Sequence, residues 1–158
     1  MKTVKLSVVR LDELATVIDA ISPKDLANMK DIRLSASIVS DIKASYKEQS
    51  EKVDSLRVRQ AECAKKYQEE FKEKNEALSE EEKTEFAKKL DVKLNAEIQE
   101  KFGEEMKALE EENKKVVEFE LGDEKHAKLQ EWFNKYCVEK YIKKDALIEV
   151  ADALGISE

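Results

Sequence analysis

The chain has 158 residues, which suffices for one domain with a modest core or for an extended molecule with a small one. Charged residues make up 41% and aromatic residues 6%, with three glycines and one proline, and this argues against a compact sheet protein with many turns. The net charge of -7 disfavours broad binding to nucleic acid, because unneutralised carboxylates repel phosphate backbones. Apolar residues recur at helical spacing, so the chain is predicted to fold.

The N-terminal segment has the pattern of a strand that leads into a helix. Residues 2–9 alternate, so that Val4, Leu6 and Val8 share one face, as in a half-buried strand. The next segment carries an apolar stripe at helical spacing, which predicts a helix that ends before the "SPKD" turn at residues 22–25. The stripe consists of Leu11, Leu14, Ala15, Ile18 and Ile21.

The central segment predicts two long helices that form an antiparallel, coiled-coil-like hairpin over residues 34–113. A first helix begins near Leu34, and the chain breaks at "KEKNEALSEEE", where Ser79 and Glu82 match a capping box. Folding back at this break gives arms on the order of 50 Å long. The predicted hairpin seam consists of Ile42, Tyr46, Val53, Leu56 and Tyr67 on the first helix and Leu90, Leu94, Ile98, Phe102 and Met106 on the second.

The seam is irregular in two ways. Its second stripe repeats every four residues, which overshoots the helical turn, so this stripe should wind around its helix in the right-handed sense. Gln49 and Gln60 interrupt the first stripe, which leaves an imperfect seam that a second hairpin would complete. A homo-oligomer is therefore one expectation.

A second segment with the alternating pattern of a strand, Val116 to Leu121, is predicted to pair with the first. Val117, Phe119 and Leu121 would join the apolar face, and Glu118 and Glu120 would lie outside with Lys5 and Thr3. Residues 1–33 and 114–158 then form a small α+β base for the hairpin, within one folding unit. The fold class is mainly α with a small two-stranded antiparallel sheet.

The C-terminal segment predicts two more helices. Asp123 is expected to cap the first of them, a loop follows near residues 140–144, and Gly155 suits a left-handed helix terminator. The last helix would bury Leu147, Val150, Ala151 and Leu154. An aromatic stripe on the preceding helix is either part of the core or a partner-binding surface. It consists of Trp132, Phe133, Tyr136 and Tyr141.

The sequence offers no constellation typical of catalysis. His126 is the only histidine and is expected to be an exposed first-turn residue, with no nucleophile placed beside it by spacing. A di-iron centre needs two Glu-x-x-His motifs, and a structural zinc needs a Cys-x-x-Cys pair, and neither is present. We therefore expect no catalytic residue, metal or cofactor. Cys63 and Cys137 are expected to be reduced, and spacing does not show whether they meet.

Location and partner class follow from the same observations. The start "MKTVKLSVVRLDEL" does not have the pattern of a signal peptide, and no segment approaches 18 uncharged apolar residues, so a cytoplasmic chain without a membrane span is expected. The basic segment with the fewest acidic neighbours consists of Arg57, Arg59, Lys65 and Lys66. The acidic residues around it still disfavour direct nucleic-acid binding there. A protein partner is the expectation.

The order of these parts resembles a group of short uncharacterised proteins from tailed bacteriophages and prophages. The resemblance rests on "VKLSVVRLDELATVIDAI", on "LSASIVSDIKASYKEQSEKVDSLRVRQAECAKKY" and on an acidic second helix, and it covers roughly the first two thirds of the chain. It implies a phage setting, in the virion or in the cytoplasm of a bacterial host, and assigns no functional residue.

Two functions are expected from this reading. The first is a non-catalytic structural or assembly factor that acts through the hairpin and the aromatic-rich base, with a virion or host protein as its partner. The second is a host-directed inhibitor that places its acidic helices in the nucleic-acid groove of a defence or repair enzyme. Added salt should weaken the second interaction steeply and the first one little.

Overall fold

The computed structural model describes residues 1–137 and 143–156, which form two compact units. One unit combines Met1–Lys47 with Asn113–Glu158, and the other is Glu48–Glu112. We call them the base unit and the hairpin unit. The helices and strands are β1 Lys2–Ser7, α1 Val8–Asp19, α2 Met29–Ser45, α3 Lys47–Lys74, α4 Glu80–Asn113, β2 Val116–Leu121, α5 Asp123–Trp132 and α6 Lys144–Ala153. The predicted fold class, mainly α with a small two-stranded antiparallel sheet, is confirmed.

Strands β1 and β2 pair antiparallel, with the predicted residues Val4, Leu6, Val117 and Phe119 on one face. Val4 lies opposite Phe119, and Leu6 lies opposite Val117. On the outer face the ammonium of Lys5 lies 3.2 Å from a carboxylate oxygen of Glu118. Both side chains are exposed, so this pair adds only a few tenths of a kcal/mol. The sheet is therefore held mainly by its buried face.

The first strand is shorter than the alternation suggested, because Ser7 begins a helix. The Ser7 hydroxyl accepts a hydrogen bond from the backbone N–H of Arg10, which satisfies one free donor of the first turn of α1. Val8, predicted as a strand residue, is thus the first residue of α1 and lies buried. Leu11, Leu14, Ala15 and Ile18 of the predicted stripe are buried on α1, whereas Ile21 lies after the helix ends and is partly buried against the core.

The sequence predicted one helix from Leu34 to Phe71, and this is wrong at Tyr46. Tyr46 separates α2 from α3 with φ −125° and ψ 27°, which are not helical dihedrals. Its ring and Ile42 are buried in the core of the base unit, and its hydroxyl donates to Asp12 at 3.1 Å. These two residues therefore do not belong to the hairpin seam. The hairpin begins at Glu48, later than the predicted residue 34.

In the hairpin unit, α3 and α4 run antiparallel. Lys52 contacts Glu112, and Arg59, seven residues later on α3, contacts Glu105, seven residues earlier on α4. The next contact, Tyr67 with Glu97, lies eight residues further on each helix. The turn is closed by the predicted capping pair: the Glu82 N–H donates to the Ser79 hydroxyl, which donates to the Glu82 carboxylate.

The C-terminal helices complete the base unit. Gly122, not Asp123, is the N-cap of α5, because Asp123 already has helical geometry. Gly155 has φ +78° and terminates α6, and the Ile156 N–H donates to the Ala151 carbonyl at 2.9 Å, as predicted for this glycine. The predicted loop near residues 140–144 lies largely outside the described residues.

Candidate functional site

Two of the four residues of the predicted aromatic stripe belong to the core: Trp132, the last residue of α5, and Phe133, which follows it. Trp132 and Phe133 are 3% and 2% exposed and pack in the base-unit core. Tyr136 is half-buried, and its hydroxyl donates to the backbone carbonyl of Asp25. Tyr141 lies outside the described residues. Trp132 and Phe133 were predicted from the sequence as partner-binding residues. Their side chains are buried in the core, so they are not accessible to a partner.

His126 is buried, so the prediction of an exposed histidine is wrong. Burial lowers the pKa of the imidazole, the positive charge of Lys2 lowers it further, and Asp123 acts in the opposite direction. The imidazole is therefore mainly neutral at pH 7. Within residues 1–137 and 143–156, no group of three or more His, Cys, Asp or Glu side chains could hold a metal ion.

In the described part of the chain, no helix combines the length and the apolar character that crossing a membrane requires.

The hairpin unit buries few side chains for its size. Its buried residues are Leu56, Leu90, Phe102 and Leu109, and each of them keeps 5–8% exposure. Val53, Ile98 and Met106 pack half-buried against the cluster of Leu56, Phe102 and Leu109, and Cys63 joins them. A pair of helices can bury only one narrow stripe each, so most of their surface stays in water.

Near the turn of the hairpin, the two helices leave a groove open between them. We call it the tip groove, and its volume is about 340 Å³. Tyr67 and Leu94, predicted as seam residues, line this groove, and so does the buried Leu90. The complete lining is Ala64, Tyr67, Gln68, Phe71 and Lys72 from α3 and Ala87, Leu90, Asp91 and Leu94 from α4. Six of these nine side chains are apolar.

Contacts between the helices hold the walls of the tip groove in place. The rings of Phe71 and Phe86 stack with centroids 5.9 Å apart. The Tyr67 hydroxyl donates to the Glu97 carboxylate at 2.6 Å, and this hydrogen bond raises the tyrosine pKa. Lys101, 2.7 Å from the same carboxylate, is the main cause of the lowered pKa of Glu97. The raised tyrosine pKa and the lowered glutamate pKa both favour the state in which the phenol donates to the carboxylate.

A second set of contacts fixes the register near the middle of the two helices. Arg59 forms a two-pronged hydrogen-bonded pair with Glu105, and its guanidinium lies 5.6 Å from the centroid of the Phe102 ring. The hydrogen bond to Glu105 raises the pKa of Arg59 and lowers that of Glu105. The Gln60 amide lies 3.0 Å from the Met106 sulfur, so the predicted polar interruption is accommodated inside the seam.

The net charge of the chain resides in the hairpin unit. Residues 48–112 contain 20 Asp and Glu against 13 Lys and Arg, which gives −7, the value of the whole chain. The remaining residues contain 16 acidic and 16 basic side chains, so the base unit is balanced. A charged partner would therefore be attracted or repelled through the hairpin unit.

Sequence reasoning missed the residues that make the tip groove open. Ala64 and Ala87 stand in opposite walls, and their short side chains leave space that larger residues would fill. Phe71 was not among the predicted seam residues, although it lines the groove. Small residues facing each other are a usable signal only once the register of the two helices is known.

These features define a mainly α protein with a packed α+β unit and a helical hairpin that carries an apolar groove. Comparison of the chain with models of protein families, with curated proteins and with solved structures finds no match.

Proposed function

We propose that this chain is a non-catalytic interaction protein that binds a protein partner through its helical hairpin. The setting suggested by the sequence is a tailed phage, with a role as structural or assembly factor in the host cytoplasm or the virion. The observation that carries the proposal is the tip groove, an apolar surface on an otherwise highly charged pair of helices. The aromatic-rich base has no part in this proposal, because Trp132 and Phe133 are core residues.

Physical chemistry favours a bound partner at such a surface. Half-exposed side chains such as Leu94 and Phe71 still contact water, and covering them is favourable by about 25 cal/mol per Å² of apolar area. Grooves between helices are common sites for binding a further protein segment. The hydrogen bond from Tyr67 to Glu97 already restrains this side chain, so binding would cost less side-chain entropy there.

The test compares two substitutions that add the same charge to α4. Leu94 lines the groove, whereas Val92 is 69% exposed and lies outside the lining. In affinity capture from phage-infected bacterial cells, proteins retained by the wild type should also be retained by Val92→Asp and lost by Leu94→Asp. Circular dichroism checks that the helices remain. Ala64→Gln, which removes no apolar side chain, serves as a second groove variant.

Equal retention by Leu94→Asp, Ala64→Gln and the wild type would overturn the proposal, because the groove would then have no role in binding. Solution mass at low and high salt supplies a second readout, since a complex held by apolar contacts should persist when salt is added.

The charge distribution favours a second candidate, a host-directed inhibitor of a nucleic-acid-binding defence or repair enzyme. The whole net charge of −7 lies in residues 48–112, which suits a basic groove that normally holds a polyanion. Such binding should weaken steeply between low and high salt, because the Debye length shortens to about 3 Å at 1 M. It should also be indifferent to Leu94→Asp, which adds negative charge.

A further inference from the structure

In the described part of the chain, the sheet of the base unit has two strands, so each strand keeps one unpaired edge. Strands β1 and β2 pair antiparallel over six residues each. In such a pair, the backbone N–H and C=O groups of every second residue point toward the partner strand, and those between them point away. Among the described residues, no backbone group of β2 forms a hydrogen bond outside the sheet. Half of its donors and acceptors are therefore free to bind an added strand.

Of the two strands, β2 is the less covered one. The inward-facing residues Val4 and Leu6 of β1 are 0% and 2% exposed, and α6 packs against this strand. On β2, by contrast, Val117 and Phe119 are half-buried at the margin of the core. Inward-facing side chains of a strand added beside β2 would cover the apolar area that these two residues still expose, and removing that area from water favours binding.

A depression beside β2 gives such side chains a place to pack. Its volume is about 660 Å³, and its lining includes Phe119 and Glu120 of β2 and Asp41, Ala44 and Ser45 near the end of α2. Ala44 is exposed, and the short side chains of Ala44 and Ser45 leave space above this part of α2. We call the free edge of β2 and this depression together the edge site.

The outer face of β2 carries a negative charge that the chain does not compensate. Glu118 and Glu120 both lie on this face, and Lys5 pairs with Glu118 across the sheet at 3.2 Å. Glu120 lies opposite Thr3 and has no ion pair within residues 1–137 and 143–156. A lysine or arginine of an added strand beside Glu120 would form a cross-strand charge pair, whereas an acidic residue there would be repelled.

Neighbouring charges do not cancel this preference. The other charged groups that line the depression are paired within the chain: Asp41 with Lys125, Asp123 with the N-terminal ammonium group, and Glu124 with Lys30. Lys114 and Lys115 precede β2, and at about 3.3 Å per residue they lie about 16 Å or more from Glu120 along the strand. That exceeds the Debye length of about 8 Å at physiological ionic strength.

We propose that the edge site binds an extended segment of a partner protein, which adds to β2 as a third strand with apolar residues on its inner face and a lysine or arginine beside Glu120. The occupant follows from the free backbone groups, because another strand can pair with them, whereas the backbone groups of a helix already bond to each other. This surface lies in the base unit and does not depend on the tip groove.

A second copy of this chain fits the edge site less well. Pairing β2 with the same strand of another copy would bring the glutamates of the two outer faces, Glu118 and Glu120, against each other. Like charges on neighbouring strands are destabilising. The outer edge of β1 belongs to the strand whose apolar side chains are already fully covered. A partner with a basic residue on the outer face of its strand avoids this repulsion.

Hydrogen exchange of the full chain, followed by NMR, tests the hydrogen bonding. In the free chain, every second amide of β2 should exchange rapidly, because it has no partner. The probes are synthetic peptides in which valine alternates with threonine, with one central threonine replaced by lysine or by glutamate. A peptide that occupies most of the sites should slow the exchange of these rapid β2 amides at least about fivefold and leave the unpaired amides of β1 unchanged.

Backbone methylation of the peptide separates strand addition from other modes of binding. The lysine peptide is made in two forms, one N-methylated on every valine and the other on every residue between the valines. Each form keeps all side chains, and each has lost the N–H donors of one edge. One of the two forms should bind and the other should bind at least about tenfold more weakly, because a third strand pairs through one edge.

Charge reversal on β2 tests the chemistry assigned to the partner. The wild type should bind the lysine peptide about threefold or more tightly than the glutamate peptide. Glu120→Lys should reverse this preference, a change that loss of folding would not produce. Glu85→Lys changes the net charge equally, but Glu85 is an exposed residue of α4 in the hairpin unit, so this control should keep the preference for the lysine peptide.

Four results would overturn the inference: no protection of the β2 amides by either methylated form, equal binding of the two forms, a preference that Glu120→Lys leaves unchanged, or protection of every β2 amide in a free chain whose solution mass exceeds one copy. The last result would make a second copy the occupant. None of these results bears on the tip groove, so the proposed function is tested separately by the Leu94 and Ala64 variants.

Discussion

Replacing Gly103 with alanine should stabilise the hairpin. Gly103 lies in the interior of the 34-residue helix α4, and Gly155 is the residue with positive φ among the described glycines. A Cβ added at Gly103 would come within 3.3 Å of the Gln99 side-chain oxygen, the flexible end of a side chain that can move away. Nothing else lies within 4 Å of that Cβ apart from the helix's own backbone. The described structure therefore does not require glycine at this position.

The expected gain is about 1 kcal/mol, the difference in helix propensity between glycine and alanine, because Gly103 is in a normal helical conformation. A stabilisation of about 1 kcal/mol makes the equilibrium constant for local opening roughly fivefold smaller, so the local amide hydrogens should exchange about fivefold more slowly. Hydrogen exchange of residues 99–107 measures this directly. It is preferable to a global unfolding curve, since two compact units need not unfold in one step.

The same substitution at Gly155 is the control of opposite sign. Gly155 has φ +78°, a conformation that strains any residue with a Cβ, so Gly155→Ala should destabilise the end of α6 by about 1 kcal/mol. If Gly103→Ala speeds exchange around residue 103 or leaves it unchanged, the backbone there is under a constraint that the described contacts do not contain. The reasoning from helix propensity would then be refuted.

Three further predictions concern single contacts. As the pH falls through 6.5, an unfolded His126 takes up a proton that the folded form resists, so the free energy of unfolding should decrease, and His126→Gln should abolish this slope in urea titrations. A free energy of unfolding that does not change with pH around 6.5 would contradict the burial of the imidazole. Tyr46→Phe should cost about 1 kcal/mol through the lost hydrogen bond to Asp12, and an unchanged urea midpoint would contradict this. A double-mutant cycle with Arg59→Ala and Glu105→Ala should give a coupling of at most about 1 kcal/mol that salt reduces, because both side chains are about two-fifths exposed; a larger, salt-independent coupling would contradict it.

Local patterns in the sequence predicted local structure well. The alternation of Val4 and Leu6 with that of Val117 and Phe119 was enough to give the pairing of the strands, because a shift by one residue would place the apolar side chains in water. The cap at Ser79 depends on a spacing of three residues between a hydroxyl and a glutamate. Each of these signals lies within a few residues of the feature that it predicts.

The same patterns did not show which partner each apolar stripe contacts. Ile42 and Tyr46 continue the spacing of the α3 stripe, so the sequence assigned them to the hairpin, but their side chains pack in the base unit. Helical spacing indicates that one side of a helix is buried and says nothing of what covers it. The aromatic pair Trp132 and Phe133 and the buried His126 illustrate the same limit.

The tip groove depends on information that a single helix does not contain. Ala64 and Ala87 become opposite walls only when Tyr67 is placed beside Glu97, which is a matter of register between two helices.

The contrast between the two units connects stability with binding. Among the described residues, a cluster of 17 buried apolar side chains forms the core of the base unit, whereas the corresponding cluster of the hairpin unit contains three. Burial of apolar area is the main stabilising term, so the base unit holds most of the stabilising burial among the described residues. The hairpin unit holds its register with exposed charge pairs that contribute little, and it leaves the tip groove uncovered. A partner that covers this groove would supply the apolar burial that α3 and α4 leave incomplete.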